Sequence, residues 1–295
     1  MEGTDMKYIY YPGCSASGTG RGYEESTLPV FEELGIEMVT LEDWNCCGAT
    51  AYMSVDEAKA FALSARNLAL AEDQFPDMDE VHIVAPCAAC YLGLLKAKKY
   101  IDTDPKIGGT IRKALQSAEL DYTGRAKVRH PLDVLVNDYG LDKLKEKVKR
   151  PLTGLKVAAY YGCQIVRPYS DFDEGHDPQT MDQVLEVLGV EAIEWPHKTR
   201  CCGGAQTWSS DPFLELVWII LKDAIGSGGD AVATACPMCQ FNLECFQNKI
   251  RAKFDYQKKI PVVYFTQLMG LALGIDANKL GMNRLFERLE LPASV

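Results

Sequence analysis

The chain has 295 residues, 47% of them hydrophobic and 24% charged, which is ordinary for a soluble globular protein and long enough for two domains with separate cores. A net charge of -10 excludes a general nucleic-acid binder, which needs a basic footprint. Apolar runs such as Val217-Trp218-Ile219-Ile220-Leu221 are far shorter than the roughly 20 residues of a membrane span, so no membrane insertion is expected.

The opening, Met1-Glu2-Gly3-Thr4-Asp5-Met6, is acidic where a secretory leader is basic and then apolar. A cytoplasmic location is expected, and there clustered cysteines serve metal or redox sites more often than disulfides. Residues 8–11 read as a buried strand that ends at Gly13-Cys14. The pair Cys46-Cys47 follows, and residues 57–72 then place Phe61, Leu63, Ala65, Leu68 and Ala69 at helical spacing. Residues 81–84 are a strand candidate running straight into Cys87-Ala88-Ala89-Cys90. After a charged run, Arg150-Pro151-Leu152-Thr153-Gly154 marks a break that divides the chain into domains 1–150 and 151–295.

The second half repeats the order. Residues 157–161 form a strand ending at Gly162-Cys163, and Cys201-Cys202 comes next. Residues 212–224 form an apolar helix suited to a core or subunit contact, and residues 231–234 a strand entering Cys236-Pro237-Met238-Cys239. Residues 261–275 read as a strand followed by a buried helix. The alternation of strands and helices predicts an α/β fold, with a small, mostly parallel sheet and flanking helices in each half.

Ten of the eleven cysteines belong to one pattern written twice, with offsets between copies of 149, 155, 155, 149 and 149 residues. The match extends beyond the thiols. Leu34-Gly35-Ile36-Glu37 precedes the first cysteine pair as Leu188-Gly189-Val190-Glu191 precedes the second, and residues 128–142 resemble residues 262–276 at an offset of 134. The first half therefore carries 15 extra residues ahead of that match. A duplicated domain accounts for all of it.

Five thiols per copy is one more than a tetrahedral zinc site uses, which points to a multi-iron cluster in each half. Adjacent cysteines do not readily reach one iron together, but they reach neighbouring irons of a larger cluster. A Cys-x-x-Cys at a strand-to-helix loop lies near the positive end of a helix dipole, which favours thiolate over thiol. Gly13, Gly48, Gly162, Gly203 and Gly204 let backbone approach bulky inorganic sulfide. Two structural zinc sites and a disulfide framework are the alternatives. The fifth thiol weakens the first, and the expected reducing compartment weakens the second.

With both motifs in view, the chain resembles the B subunit of heterodisulfide reductase, within the group defined by cysteine-rich CCG domains. The resemblance runs from Lys7 to about Leu291. It is strongest at Tyr11-Pro12-Gly13-Cys14, Asn45-Cys46-Cys47-Gly48, Tyr161-Gly162-Cys163, Thr199-Arg200-Cys201-Cys202-Gly203-Gly204 and Cys236-Pro237-Met238-Cys239-Gln240-Phe241-Asn242. It implies two tandem, pseudo-symmetric CCG domains, each holding a noncubane [4Fe-4S] cluster. Cys14, Cys46, Cys47, Cys87 and Cys90 would bind the first, and Cys163, Cys201, Cys202, Cys236 and Cys239 the second. In the family the clusters are proposed to face one another and to split a disulfide, each supplying one electron. The implied substrate is the mixed disulfide of coenzyme M and coenzyme B. The implied partners are a C subunit carrying cubane iron-sulfur clusters and a flavin-containing A subunit. Relatives with the same domains serve succinate dehydrogenase or thiol:fumarate reductase, lactate or glycolate oxidation and sulfur oxidation, which makes an electron-transfer subunit of another dehydrogenase complex the alternative. The first Cys-x-x-Cys departs from the pattern by carrying its proline at Pro86, outside the pair. The stretch between Cys47 and Cys87 is also longer than its counterpart, 39 residues against 33.

The remaining chemistry-bearing residues invite weaker expectations. Cys245 stands alone and is expected to be a buried, inert thiol on a helix. His82, His130 and His176 suit structural or solvated roles, and His197 is a minor candidate for hydrogen bonding near Cys201. Trp44, Trp195 and Trp208 flank the Cys-Cys pairs and would shield a cluster or pack a core. Arg21, Arg167, Lys198 and Arg200 could stabilise an anionic cluster or hold an anionic group of a substrate. Gly18-Thr19-Gly20-Arg21-Gly22 lacks the strand and spacing of a dinucleotide fingerprint, so electrons must come from another protein.

Overall fold

The structure, a computed structural model, describes residues 7–49, 51–204, 206 and 210–292. Trp208 and the acidic opening at residues 1–6 lie outside them. Each half builds one four-stranded sheet. The first contains β1 (Lys7–Tyr10), β2 (Glu37–Thr40), β3 (Val81–Val84) and β4 (Ala126–Arg129), in the order β2-β1-β3-β4. The second contains β5 (Lys156–Tyr160), β6 (Glu191–Ala192), β7 (Ala231–Thr234) and β8 (Val262–Tyr264), in the order β6-β5-β7-β8. Every pairing is parallel. The chain is thus the α/β tandem that its sequence predicts, with the same strand order in both copies.

Parallel neighbours need crossover connections, and helices supply them. In the first half these are α1 (Arg21–Glu33), α2 (Ala51–Val55), α3 (Glu57–Gln74), α4 (Ala88–Thr103) and α5 (Pro105–Gln116). A short α6 (Pro131–Asp133), a π-helical segment (Val134–Tyr139) and α7 (Leu141–Lys147) follow β4. The second half has α8 (Thr180–Val187), α9 (Ser210–Gly226), α10 (Pro237–Cys245), α11 (Gln247–Phe254) and α12 (Phe265–Ala272). Helices α4 and α5 together outrun α10 and α11, which accommodates the extra length of the first half. Local chemistry fixes the starts: the Asp56 carboxylate accepts from Lys59 N, and the Asp104 carboxylate accepts from Lys106 N and Ile107 N ahead of Pro105. The sheets are cores in their own right, with β3, β7 and β8 nearly or wholly buried along their length.

The chain packs as two units, and they do not follow the repeats. One contains the residues up to Ser15 with Gly35–Pro131, and the other contains Ala16–Leu34 with everything from Leu132 onward. Helix α1 belongs to the first repeat in sequence but packs within the second unit. There the Ser26 hydroxyl hydrogen-bonds the Thr266 hydroxyl at 2.6 Å, Tyr23 stacks on Tyr264 with ring centres 4.4 Å apart, and Arg284 pairs with Glu25. Helix α7, also from the first repeat, packs against α8. Among the described residues no helix is long and apolar enough to cross a membrane.

Candidate iron-sulfur centres

In both units the cysteines sit at the C-terminal ends of parallel strands, where open α/β sheets place their ligands. Strand β1 ends at Tyr10 and turns through Gly13, at φ +69°, to present Cys14. The loop after β2 presents Cys46 and Cys47. Strand β3 runs to Cys87, the N-cap of α4, and places Cys90 in the first turn of that helix. The second unit repeats each step. Gly162, also at φ +69°, precedes Cys163. Cys201 and Cys202 follow β6, Cys236 caps α10, and Cys239 lies in its first turn.

None of the eleven cysteines forms a disulfide. Cys47 Sγ lies 3.3 Å from Cys90 Sγ, and Cys202 Sγ lies 3.5 Å from Cys239 Sγ, both well beyond disulfide length. In each adjacent pair one residue is exposed (Cys46, Cys201) and the next buried (Cys47, Cys202). Among the described residues no three His, Cys, Asp or Glu side chains close around a single metal position, although Cys90 contacts both Cys47 and Cys87, and Cys239 both Cys202 and Cys236.

The thiols polarise one another. Hydrogen bonds from the Cys46 and Cys90 thiols hold Cys47 down, to about 3, and push Cys46 and Cys90 up. A hydrogen bond from Cys163 brings Cys201 down to about 6, and one from Cys239 lowers Cys202, while Cys163 and Cys239 rise. The first site thus favours thiolate, the form that binds iron, at Cys47, and the second at both Cys201 and Cys202.

A matched tie holds each Cys-Cys loop. The Tyr11 hydroxyl donates to the carbonyl of Asn45 at 2.7 Å, and the Tyr160 hydroxyl donates to that of Arg200 at 2.5 Å. Both acceptors immediately precede the cysteine pair. Burial, then the charge of the nearby thiols, drives both phenols well above their ordinary range, so they remain donors. The glycines leave no slack: a Cβ on Gly13 would meet Cys90 Sγ at 3.0 Å, and one on Gly162 would meet Cys239 Sγ at 3.0 Å. Backbone fills that space right up to the sulfur, a cradle that fits a thiolate-bound cluster.

The remaining supports differ between the sites. In the first, Ser64 of α3 donates to the Cys47 carbonyl at 2.6 Å. Asn67 accepts from Asn45 N at 2.9 Å and donates to Asn45 O at 3.0 Å. In the second, Asn242 of α10 donates to the Cys202 carbonyl at 3.2 Å, to Gly204 O at 2.9 Å and to Cys202 Sγ at 3.4 Å. Sequence reasoning misses Ser64 and Asn67. Their signal is two polar residues among the alanines and leucines of α3, both fully buried.

The other candidates are distributed as follows. Trp195 is buried and donates to Ala159 O, while Trp44 packs edge-on against Tyr11. His197 Nε2 pairs with Asp223 at 2.7 Å and not with a cysteine. His82 contacts Arg129 and Glu80, and His130 is buried edge-on to Tyr91. Lys198 is buried in an ion pair with Asp182 at 3.1 Å. Arg21 pairs with Glu25. Arg167 donates to Thr199 O, and its charge favours the Cys201 thiolate. Cys245 ends α10 half-buried, where burial pushes its thiol up to about 11.

The cysteine-rich domain model (CCG) matches residues 8–94 and again residues 157–244. The chain is 32% identical to the 8-methylmenaquinol:fumarate reductase membrane anchor subunit of Wolinella succinogenes, over 94% of this chain and 95% of that protein. It is 30% identical to the B subunit of the ferredoxin:CoB-CoM heterodisulfide reductase of Methanosarcina mazei, over 94% and 93% of the two chains. It is 32% identical to a protein of Archaeoglobus profundus that is itself like the heterodisulfide reductase B subunit, over 93% of each. A crystal structure of a hypothetical protein from Helicobacter pylori shares the fold, with a TM-score of 0.77 over 96% of this chain at 15% identity; this chain spans about half (52%) of that one.

Proposed function

Because the chain belongs to the cysteine-rich CCG domain family, with the heterodisulfide reductase B subunit among its members, we propose that it is the catalytic subunit of a heterodisulfide reductase complex. The observation that carries this reading is the doubled five-thiol site, each copy at the C-terminal edge of its own parallel sheet and each tied by the same tyrosine-to-carbonyl bond. Cys14, Cys46, Cys47, Cys87 and Cys90 would hold one [4Fe-4S] cluster of noncubane type, and Cys163, Cys201, Cys202, Cys236 and Cys239 the other. When bound, such clusters supply one electron each, the two that cleavage of a disulfide into two thiols requires along with two protons.

The protein's own part is to prepare thiolates, hold them and keep backbone close around them. The N-termini of α4 and α10 favour negative charge at their N-cap residues, Cys87 and Cys236. Tyr11 and Tyr160 hold the Cys-Cys loops in place. We take the substrate to be the coenzyme M-coenzyme B heterodisulfide, and the partners to be a cubane-cluster C subunit and a flavin-containing A subunit in the cytoplasm. The relatives from Methanosarcina and Archaeoglobus support that choice.

The Wolinella relative favours a second reading, in which the chain passes electrons within a fumarate-reducing or similar complex without handling a disulfide. Anaerobic turnover with reduced viologen separates the two. Reduction of the heterodisulfide, but not of cystine, supports the first. Iron-loaded protein with no disulfide turnover leaves the second.

A further inference from the structure

The two centres carry the same thiols in different electrostatic surroundings. Asn242 reaches across from α10, and its amide donates to Cys202 Sγ at 3.4 Å. At the repeat offset of 149 its counterpart is Gly93. A Cβ built on Gly93 points at the same place in the first centre, 3.7 Å from the Cys47 Cβ and 3.6 Å from the Ala49 Cβ, but the glycine has no donor to send there. Among the described residues no side-chain N–H donates to Cys47. Ser64 takes over the support of the Cys47 carbonyl and leaves the sulfur alone.

Charge follows the same division. Arg200 stands where the first repeat has Asn45, and Arg167 where it has Gly18. Arg167 donates to Thr199 O, two residues before Cys201, and Arg200 Nε is buried with no hydrogen-bond partner among the described residues. Hydrogen bonds to ligand sulfur and nearby positive charge both favour the reduced, more negative state of an iron-sulfur centre.

We propose that Asn242 is a positioning residue that, with Arg167, sets the second centre at a higher reduction potential than the first. Electrons shared between the centres then rest on the second. The inference depends on each thiol set holding a cluster, and it deepens that reading by making the clusters unequal.

The test is a potentiometric titration of the holoprotein followed by electron paramagnetic resonance, with signals assigned through Cys87→Ser and Cys236→Ser. The second centre should reduce first. Asn242→Leu should lower its reduced-to-oxidised ratio at fixed potential by roughly tenfold, equivalent to about 59 mV for a one-electron couple, and leave the first centre unmoved. Asn242→Gln, which keeps the donor, should recover most of the shift. Ser64→Ala combined with Gly93→Asn should raise the first centre. If Asn242→Leu fails to hold its cluster, Asn242→Asp keeps the shape without the N–H, and Arg167→Gln removes one charge; each must lower the second centre alone. Iron-loaded wild-type protein whose centres titrate together, or an unshifted Asn242 variant with full iron, overturns the proposal and leaves the cluster reading standing. Wild-type protein that binds no iron-sulfur cluster overturns both.

Discussion

The two Cys-Cys loops solve one problem with different parts. Each must present an exposed and a buried thiol in succession, and each has its preceding carbonyl held by a strand-end tyrosine. The carbonyl two residues on, of Cys47 or Cys202, is held by different helices: by Ser64 on α3 in the first unit and by Asn242 on α10 in the second. Helix α9, the counterpart of α3, presents the buried apolar residues Phe213, Val217 and Ile220 instead. What duplication retains is the loop and its carbonyl pattern. Which helix supplies the donor is free to change, and that freedom is what lets the second donor reach sulfur as well.

The bluntest way to break the comparison is to remove one thiol at a time. Cys87→Ser and Cys236→Ser should each take turnover to background and cost about half of the roughly eight irons expected for two four-iron clusters. Iron and sulfide analysis beside the viologen assay checks this, and full activity with one cluster gone would contradict paired centres.

A smaller effect separates the units by pH. Glu244 is 4% exposed on α10, where burial pushes its carboxyl up to about 7. Its counterpart at the repeat offset is Leu95. A carboxyl raised on folding contributes stability in full below its unfolded value, near 4.5, and loses it as pH rises through about 7. The second unit should therefore lose up to about 3 kcal/mol between these limits. Thermal melts from pH 4.5 to 8 should show the decline, and Glu244→Gln should flatten it.

Most of the scaffold is legible in the sequence. The strands at residues 81–84 and 231–234 and the helix at 57–72 announce themselves by periodicity, and the repeat offsets alone match each thiol of one set to its counterpart in the other. Three things are not legible. The apolar face of α1 shows that the helix is buried, but a hydrophobic stripe does not specify its partner, and α1 packs beside α12 in the second unit. Ser64 and Asn67 look like defects in a helix face until the loop they serve is in place. His197 is a near neighbour of Cys201 along the chain, yet its ring turns to Asp223 on α9, a partner 26 residues away that no local pattern reveals.

Next in size come the glycines that touch sulfur. Gly13→Ala and Gly162→Ala each force an L-residue to φ +69° and bring a Cβ to 3.0 Å from the Cys90 or the Cys239 sulfur. The left-handed backbone alone costs about 1–2 kcal/mol. Each change should lower the iron content of its own centre and spare the other, as iron analysis combined with the assigned resonance signals would show.

The smallest effect is also the most selective. Ser64→Ala removes a hydroxyl that is fully buried and whose bond to the Cys47 carbonyl is 2.6 Å long. The acceptor stays buried, so the expected cost is about 1 kcal/mol or somewhat more. Asn67 and Tyr11 still hold the neighbouring Asn45 carbonyl, which limits the damage to the loop's far side. The first cluster should then be lost to a chelator faster than in the wild type while the second decays unchanged. Asn242→Ala should reverse that order, because it strips the Cys202 carbonyl and leaves Ser64 in place. Equal acceleration at both centres in either variant would mean that the loops are not held independently, and the separate supports would lose their meaning.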